Sequence, residues 1–260
     1  EATIERAWQR GIRLFDVAPL YGGGLGEERR GRVLRGVPRD EYVLCTKTGV
    51  TRPYAQAATP PGAMRARAAD QWDYGAAATR ASVMRSVERL GSDHLDVVHL
   101  HDVDDHLDAC LDAYAELSSL REEGVVGAIG IGSNAAAPVA ALLARARFDT
   151  FLLAGCYTLL DQHGAALIED SARAGVAVVA GGIFNSGILS RWPPVAPTYA
   201  YQPAAPAIIE RAARIAAACA RHGTTLPAAA LQFVMANAAI ATVLIAPRSV
   251  QELEQNLEAS

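Results

Sequence analysis

The chain predicts a parallel α/β sheet covered by helices, and three observations carry that prediction. Short apolar runs alternate with helical stretches from end to end. The runs are apolar throughout instead of alternating with polar residues, as strands buried on both faces are. Three successive runs stop abruptly at an ionisable residue, Asp16, Lys47 and His101, where a buried strand would emerge at the carboxyl edge of such a sheet.

The length of 260 residues suits one large α/β domain or two small ones, with ample core. A hydrophobic fraction of 51% argues against disorder. With 24 Lys and Arg against 28 Asp and Glu, the net charge of -4 gives no electrostatic reason to expect a nucleic acid or an anionic membrane as partner. Cys45, Cys110, Cys156 and Cys219 stand singly, without a C-x-x-C pair, and read as reduced thiols. No signal peptide opens the chain and no apolar run approaches ~20 residues, so a soluble, cytoplasmic protein is expected.

Taken in order, residues 2 to 10 carry Ile4, Ala7 and Trp8 on one helical face and stop at Gly11, a suitable helix end. Ile12 to Asp16 is a strand. The loop after it holds Tyr21 and a glycine run that permits a tight turn, and Glu27 and Glu28 open a helix over 27 to 35, since first-turn acids are favoured. Tyr42 to Lys47 is the second strand. Thr48 to Gly75 contains Pro53, Pro60, Pro61 and Gly62 and is too long for an ordinary connection, as lids and binding segments are. A helix from Ala76 to Leu90 leads to a strand from Leu95 to His101. Helix 108 to 123 precedes a strand at 125 to 131, which closes in Gly132, Ser133 and Asn134. Helix 136 to 146 leads to a strand at 149 to 154, helix 164 to 174 to a strand at 176 to 180, and 181 to 203 is a second long loop. Helices over 205 to 222 and 227 to 236 precede a last strand, Ala241 to Ile245, and a helix from Ser249.

This pattern contains about seven strands and begins with a helix. A closed (β/α)8 barrel has eight strands and begins with one. The expectation is therefore a TIM barrel formed by residues 1–260 as one domain, with the first strand missing from this chain and the C-terminal helix cut short at Ser260. An open doubly wound sheet is the other arrangement that accommodates seven strands.

Neighbouring strands lie about 4.8 Å apart, so equivalent strand ends place Asp16, Lys47 and His101 side by side, with Tyr21 on the adjoining loop. A single charged strand end is ordinarily a solvated boundary; three ionisable types in succession beside a phenol suit proton transfer coupled to hydride transfer at a carbonyl. A free phenol titrates near ~10 and is a reluctant acid or base at neutrality. A neighbouring ammonium, Lys47, favours the phenolate and brings Tyr21 toward usefulness. Asp16 would keep Lys47 charged and in place, and His101 would orient the substrate oxygen.

The motifs G-I-R-L-F-D-V-A-P-L-Y-G, L-C-T-K, H-L-H-D, I-G-S-N and R-S-x-x-x-L-x-x-N, in that order, identify the chain as resembling the aldo-keto reductase superfamily over nearly its whole length. F-D-V-A-P-L-Y-G-G-G-L-G-E-E-R-R-G, H-D-V-D-D-H and L-L-A-G-C-Y-T-L-L-D-Q are similar to its aldose dehydrogenase branch. The resemblance implies a (β/α)8 barrel and NADP or NAD as cofactor. It also implies the tetrad Asp16, Tyr21, Lys47 and His101, and oxidation of the anomeric carbon of a sugar or of a related aldehyde or alcohol. Ser133 and Asn134 match the pair that holds the nicotinamide carboxamide, although a plain helix cap is an equal reading of their spacing. Phe184, Asn185, Ser186 and Gly187 match the loop that passes the pyrophosphate, and Arg248, Ser249 and Asn256 the adenosine end, with Glu252 where relatives often carry glutamine. Ala154 stands at the place of a usual glutamine and Gly181 at that of a usual stacking aromatic.

Tyr54, Trp72 and Tyr74, in or beside the first long loop, form either a substrate wall or a set of pins for that loop. Asp102 suits a polyhydroxylated substrate. Cys156 and Tyr157 follow a strand end, with buried packing the expected role of Cys156, and Asp161, Gln162 and His163 read as surface residues opening a helix. The partner expected is a small molecule. Two other readings compete. His99-x-His101 presents two imidazoles on one face of a strand, near Asp102, Asp104, Asp105 and His106, as a zinc hydrolase would. A barrel lacking a strand could also survive as a non-catalytic cofactor-binding homologue.

Overall fold

The computed structural model describes residues 1–49 and 72–260. Their elements are α1 (Ala2–Gln9), β1 (Leu14–Asp16), α2 (Leu25–Leu34), β2 (Val43–Thr48), α3 (Ala76–Leu90), β3 (Leu95–His101), α4 (Ala109–Glu122), β4 (Val126–Ser133) and α5 (Ala136–Leu143). They continue with β5 (Thr150–Ala154), α6 (Ala165–Arg173), β6 (Ala177–Gly181), β7 (Thr198–Tyr199), β8 (Gln202–Pro203), α7 (Pro206–Arg221), α8 (Leu226–Met235), β9 (Thr242–Val243) and α9 (Val250–Ala259). The chain divides into two compact units.

In the first unit β1, β2, β3 and β4 pair in parallel in that order, and Thr150 and Phe151 open β5 beside them. The strands are apolar on both faces because helices cover one side and side chains fill the other: Leu44, Leu95, Val98, Leu100, Ile129, Ile131 and Phe151 are all buried, as are Leu34, Val83, Leu90, Cys110, Leu117 and Leu120 from α2, α3 and α4. The register is staggered. Asp16 lies opposite Cys45, Lys47 opposite His99, and His101 opposite Gly132. The three ionisable strand ends therefore climb by two residues, about 6.6 Å, from one strand to the next. This corrects the expectation that they stand level, while a two-residue step keeps all three on the same face.

In the second unit β6 pairs in parallel with β9, and Ile188, Leu189, Ala212, Ala216, Leu226 and Ala230 form a core between α7, α8 and the segment after β6. Helix starts follow local chemistry: Thr225 caps α8 by accepting from the Ala228 N–H, and Ser249 caps α9 by accepting from Glu252 N–H. Two expectations are adjusted here. The loop at 181–203 contains a small antiparallel hairpin, β7 with β8, and the last strand shortens from 241–245 to two residues.

Candidate active site

The first unit gathers Asp16, Tyr21, Lys47 and His101. Asp16 closes β1, and the chain then turns through Val17 and Ala18, both fully buried, to a turn in which Tyr21 N–H donates to Ala18 O at 3.0 Å. Gly22, Gly23 and Gly24 follow with φ of 65°, 61° and 99°. Three successive left-handed residues are open to glycine at no steric cost, and this run returns the chain directly into α2, leaving Tyr21 on the site side.

Lys47, 2% exposed, lies almost wholly inside. Its ammonium donates to Asp16 Oδ2 at 2.5 Å and to Val17 O at 2.8 Å, reaching back along the stagger to the neighbouring strand. Burial pushes its pKa down, but the charges of Asp16 and Tyr21 and the Asp16 hydrogen bond more than offset this, so the lysine titrates above its ordinary value and is charged at neutral pH. Lys47 Nζ stands 5.1 Å from the Tyr21 ring centroid, where a cation stabilises the phenolate over the phenol. The Tyr21 ring meets His101 edge to face, with centroids 5.9 Å apart at 87°. A proton can thus be held or released at the Tyr21 oxygen with a fixed cation behind it and an imidazole beside it.

The aromatic residues divide in role. Trp72 presents its edge to His101, centroids 5.9 Å apart at 83°, and stacks on Tyr74 at 6.2 Å and 8°. Tyr74 is 2% exposed, and its hydroxyl donates to His101 O at 2.5 Å and more weakly to Asp102 O at 3.3 Å. Its phenol therefore braces the end of β3, whereas Trp72 is half-buried. Tyr54 lies outside the described residues. Asp102, half-buried with φ of 52°, holds Oδ1 at 3.8 Å from His101 Nε2.

Two residues that the sequence reading named in other settings, Asp104 beside the His99-x-His101 pair and Glu27 at a helix start, take part in buried polar contacts. Asp104 accepts a hydrogen bond from the Ser133 hydroxyl at 2.8 Å, and burial raises its carboxyl above the usual range against the opposing pull of that bond. Ser133 is the last residue of β4 and does not stand past its end. Glu27 is a first-turn acid of α2 as expected and is fully buried; nothing in the sequence distinguishes it from Glu28 beside it. His99 is also buried, and burial pushes its pKa down to about 4. Among the described residues no group of three or more His, Cys, Asp or Glu side chains is placed to hold a metal ion. An open groove of about 590 Å³ lies at the amino ends of β1 to β3, lined by Arg13, Arg39, Tyr42, His94 and Asp96 among others. Arg39 is already engaged there by Ser92 Oγ, Tyr42 O, His94 O and Asp96, and the groove faces away from the carboxyl-end chemistry.

In the second unit Phe184 is half-buried, and Asn185, Ser186 and Gly187 have φ of 45°, 59° and 105°. Successive non-glycine residues in that region cost roughly 1–3 kcal/mol each and persist where the surroundings hold them, often at ligand clamps. Here Thr198 Oγ1 donates to Ser186 O at 2.6 Å and Tyr201 N–H to Ser186 Oγ at 2.9 Å. Asn185 Oδ1 is buried with no hydrogen-bond partner among the described residues, an acceptor that fits a ligand bringing a donor. Asn134 lies in this unit too, and its carbonyl accepts from Cys156 Sγ. At α9 the Glu252 carboxylate accepts from Arg248 Nη2 at 2.7 Å and from Arg248 N–H at 2.8 Å. Asn256 is half-buried on the same helix. Tyr157 stacks on Phe233 at 5.1 Å, Cys156 is buried, and Asp161 accepts from Tyr199 OH at 3.2 Å.

Comparison with known proteins places this geometry in context. The model of the aldo/keto reductase family matches residues 1–260. The chain is 38% identical to D-threo-aldose 1-dehydrogenase from a Pseudomonas species, covering 99% of this chain and 82% of that protein. It is 31% identical to pyridoxal 4-dehydrogenase from Microbacterium luteolum, again with 99% and 82% covered. L-galactose dehydrogenase from Arabidopsis thaliana is 30% identical, with 99% and 76% covered. Among solved structures, the holo form of an aldo-keto reductase from Bacillus halodurans superposes with a TM-score of 0.79 at 26% identity, covering 99% of this chain and 80% of that one.

Proposed function

The chain belongs to the aldo/keto reductase family and is an aldose dehydrogenase-like oxidoreductase, and from that premise we propose that it oxidises the anomeric carbon of an aldose, or of a related aldehyde or alcohol, with NAD or NADP. The family implies a nicotinamide cofactor. When bound, the nicotinamide accepts a hydride in oxidation and returns it in reduction. The chain's own residues handle the proton. Tyr21 as phenolate removes the proton of the anomeric hydroxyl, the oxygen's electron pair forms the C=O bond, and the C–H bond breaks with its pair leaving as hydride. The product of a cyclic aldose is a lactone. Lys47 keeps the phenolate accessible near neutrality, Asp16 keeps Lys47 charged and fixed, and His101 orients the reacting oxygen against Tyr21.

The observation that carries this reading is the Lys47 ammonium between Asp16 and the Tyr21 ring, at 2.5 Å and 5.1 Å. Trp72 supplies an apolar face for a sugar ring, and Asp102 accepts from its hydroxyls. Ser133 and Asn134 are proposed to hold the carboxamide, Phe184, Asn185, Ser186 and Gly187 to line the pyrophosphate, and Arg248, Ser249, Glu252 and Asn256 to contact the adenosine end. The strained turn at Asn185, Ser186 and Gly187 supports the second assignment.

The test is titration of the full chain with NADH and NADPH by nicotinamide fluorescence, beside aldose oxidation by the chain and by Tyr21→Phe. Nucleotide binding retained in the variant, with kcat lower by about 10²–10⁴-fold, is the expected result. A variant that oxidises aldoses as fast as the parent would refute the role of Tyr21.

A further inference from the structure

Glu27 is 0% exposed, and both its oxygens are used. Thr46 Oγ1 donates to Oε1 at 2.7 Å, while Arg89 donates to Oε2 from Nε at 2.7 Å and approaches it with Nη2 at 2.6 Å. Three elements, α2, β2 and α3, meet at this one carboxylate. The helices do not need it in order to touch. One turn along α2, Gly31 packs so closely on the end of α3 that a Cβ would stand 2.5 Å from Leu90 O and 2.6 Å from Arg89 O. A buried ion pair also contributes little net stability over a well-packed apolar replacement, because desolvation offsets its attraction. What it adds over apolar packing is direction: fixed distances between three named atoms.

The Glu27 and Thr46 ends of this clamp adjoin the reacting pair. Gly26, the residue before Glu27, donates its N–H to Tyr21 O at 3.0 Å. Thr46 immediately precedes Lys47, and its side chain leaves the opposite face of β2. Glu27 thus grips β2 from the helix side at the residue adjoining Lys47, and α2 at the residue adjoining the tether of Tyr21.

We propose that Glu27 is a positioning residue which, through Thr46 and Arg89, sets the separation between the Tyr21 ring and the Lys47 ammonium; this rests on the reading of Tyr21 and Lys47 as the proton-transfer pair. Among the described residues, the charged groups around Tyr21 include Asp16 and, from α2, Arg30, whose guanidinium donates to Gly26 O at 3.2 Å and interacts with Asp16, Tyr21 and Glu27. His101 meets the Tyr21 ring edge to face. The substitutions below leave all of these residues in place.

The test is the ionisation of Tyr21 in the full chain, read as phenolate absorbance relative to Tyr21→Phe, in Thr46→Ser and Thr46→Val. At an effective dielectric of about 20, each ångström added to a separation near 5 Å raises the Tyr21 midpoint by about 0.4 pH units. Thr46→Ser retains the hydrogen bond and is expected to keep the parent midpoint; Thr46→Val is expected to shift it upward. A midpoint unchanged in Thr46→Val while the melting temperature falls would make the clamp merely structural and overturn the proposal. Should Thr46→Val fail to fold, Glu27→Asp, which keeps the charge facing Arg89 but withdraws it from Thr46, is read in the same way. The readout needs neither nucleotide nor sugar. A chain that oxidises no aldose would overturn the proposed activity and leave the Tyr21 midpoint to decide the clamp.

Discussion

His99 sets a quantitative acid limit on this fold. It lies on β3 directly opposite Lys47, 1% exposed, and neither ring nitrogen makes a hydrogen bond of normal geometry among the described residues. Burial pushes its pKa down to about 4, outweighing the Asp16 charge that pulls it up, while Lys47 adds to the downward push. In the unfolded chain the imidazole titrates near ~6.5. Between those values the unfolded state binds a proton that the folded state refuses, so stability falls as pH drops below about 6.5 and levels off below about 4. A gap of about 2.5 units at 1.36 kcal/mol each amounts to roughly 3 kcal/mol, a large part of a typical stability of 5–15 kcal/mol. The assay is urea unfolding at steps from pH 7.5 to 4, comparing the chain with His99→Gln. The variant cannot titrate, so its pH dependence should be shallower by most of that amount, even if its stability at pH 7.5 is lower. Parallel curves for the two proteins would show that His99 titrates normally in the fold and would refute the argument from burial.

Three other outcomes are expected. Asp16→Asn removes the carboxylate charge facing the buried Lys47 ammonium and leaves it a neutral amide beside Val17 O, and is expected to lose about 3–5 kcal/mol in urea unfolding together with aldose oxidation. Tyr74→Phe removes the hydroxyl that braces His101 O and Asp102 O; stability should drop by about 1–2 kcal/mol, with turnover falling only a few-fold, since the phenol does not touch substrate in this reading. Glu252→Gln releases the exposed Arg248 guanidinium from its ion pair, and fluorescence titration should show NADPH affinity rising about two- to fivefold relative to NADH, the scale of a solvent-exposed pair.

Much of the architecture is legible along the chain because the periodicities are local. Ala76–Leu90 and Leu95–His101 coincide with their sequence-read bounds, where a long amphipathic pattern ends at Gly91 and an apolar run ends at His101. The short strands were harder: β1 and β9 have three and two residues, too few for a pattern to define their ends. The residues that gather around Lys47, the proposed proton-transfer cluster, could be named because each stands at the polar end of an apolar run or beside a glycine turn. Glu27 could not. Helix α2 reads LGEERRGRVL and carries no apolar stripe in its first two turns to mark which acid faces inward.

The sequence by itself determined the order of strands and helices, the residue types at the strand ends, and the shared face of Asp16, Lys47 and His101, since side-chain direction alternates with a period of two. The tertiary structure alone decided the two-residue stagger that puts Lys47 opposite His99 and sends its ammonium back to Asp16. It also decided that the Tyr74 phenol braces β3, that Ser133 turns to Asp104, and that Glu27 is enclosed with Arg89. The physical reason is the same in each case. A slip of two residues between neighbouring strands keeps every side chain on its face, so no local pattern selects the register, and a polar side chain's partner is whichever group the packed elements bring within about 3 Å of it.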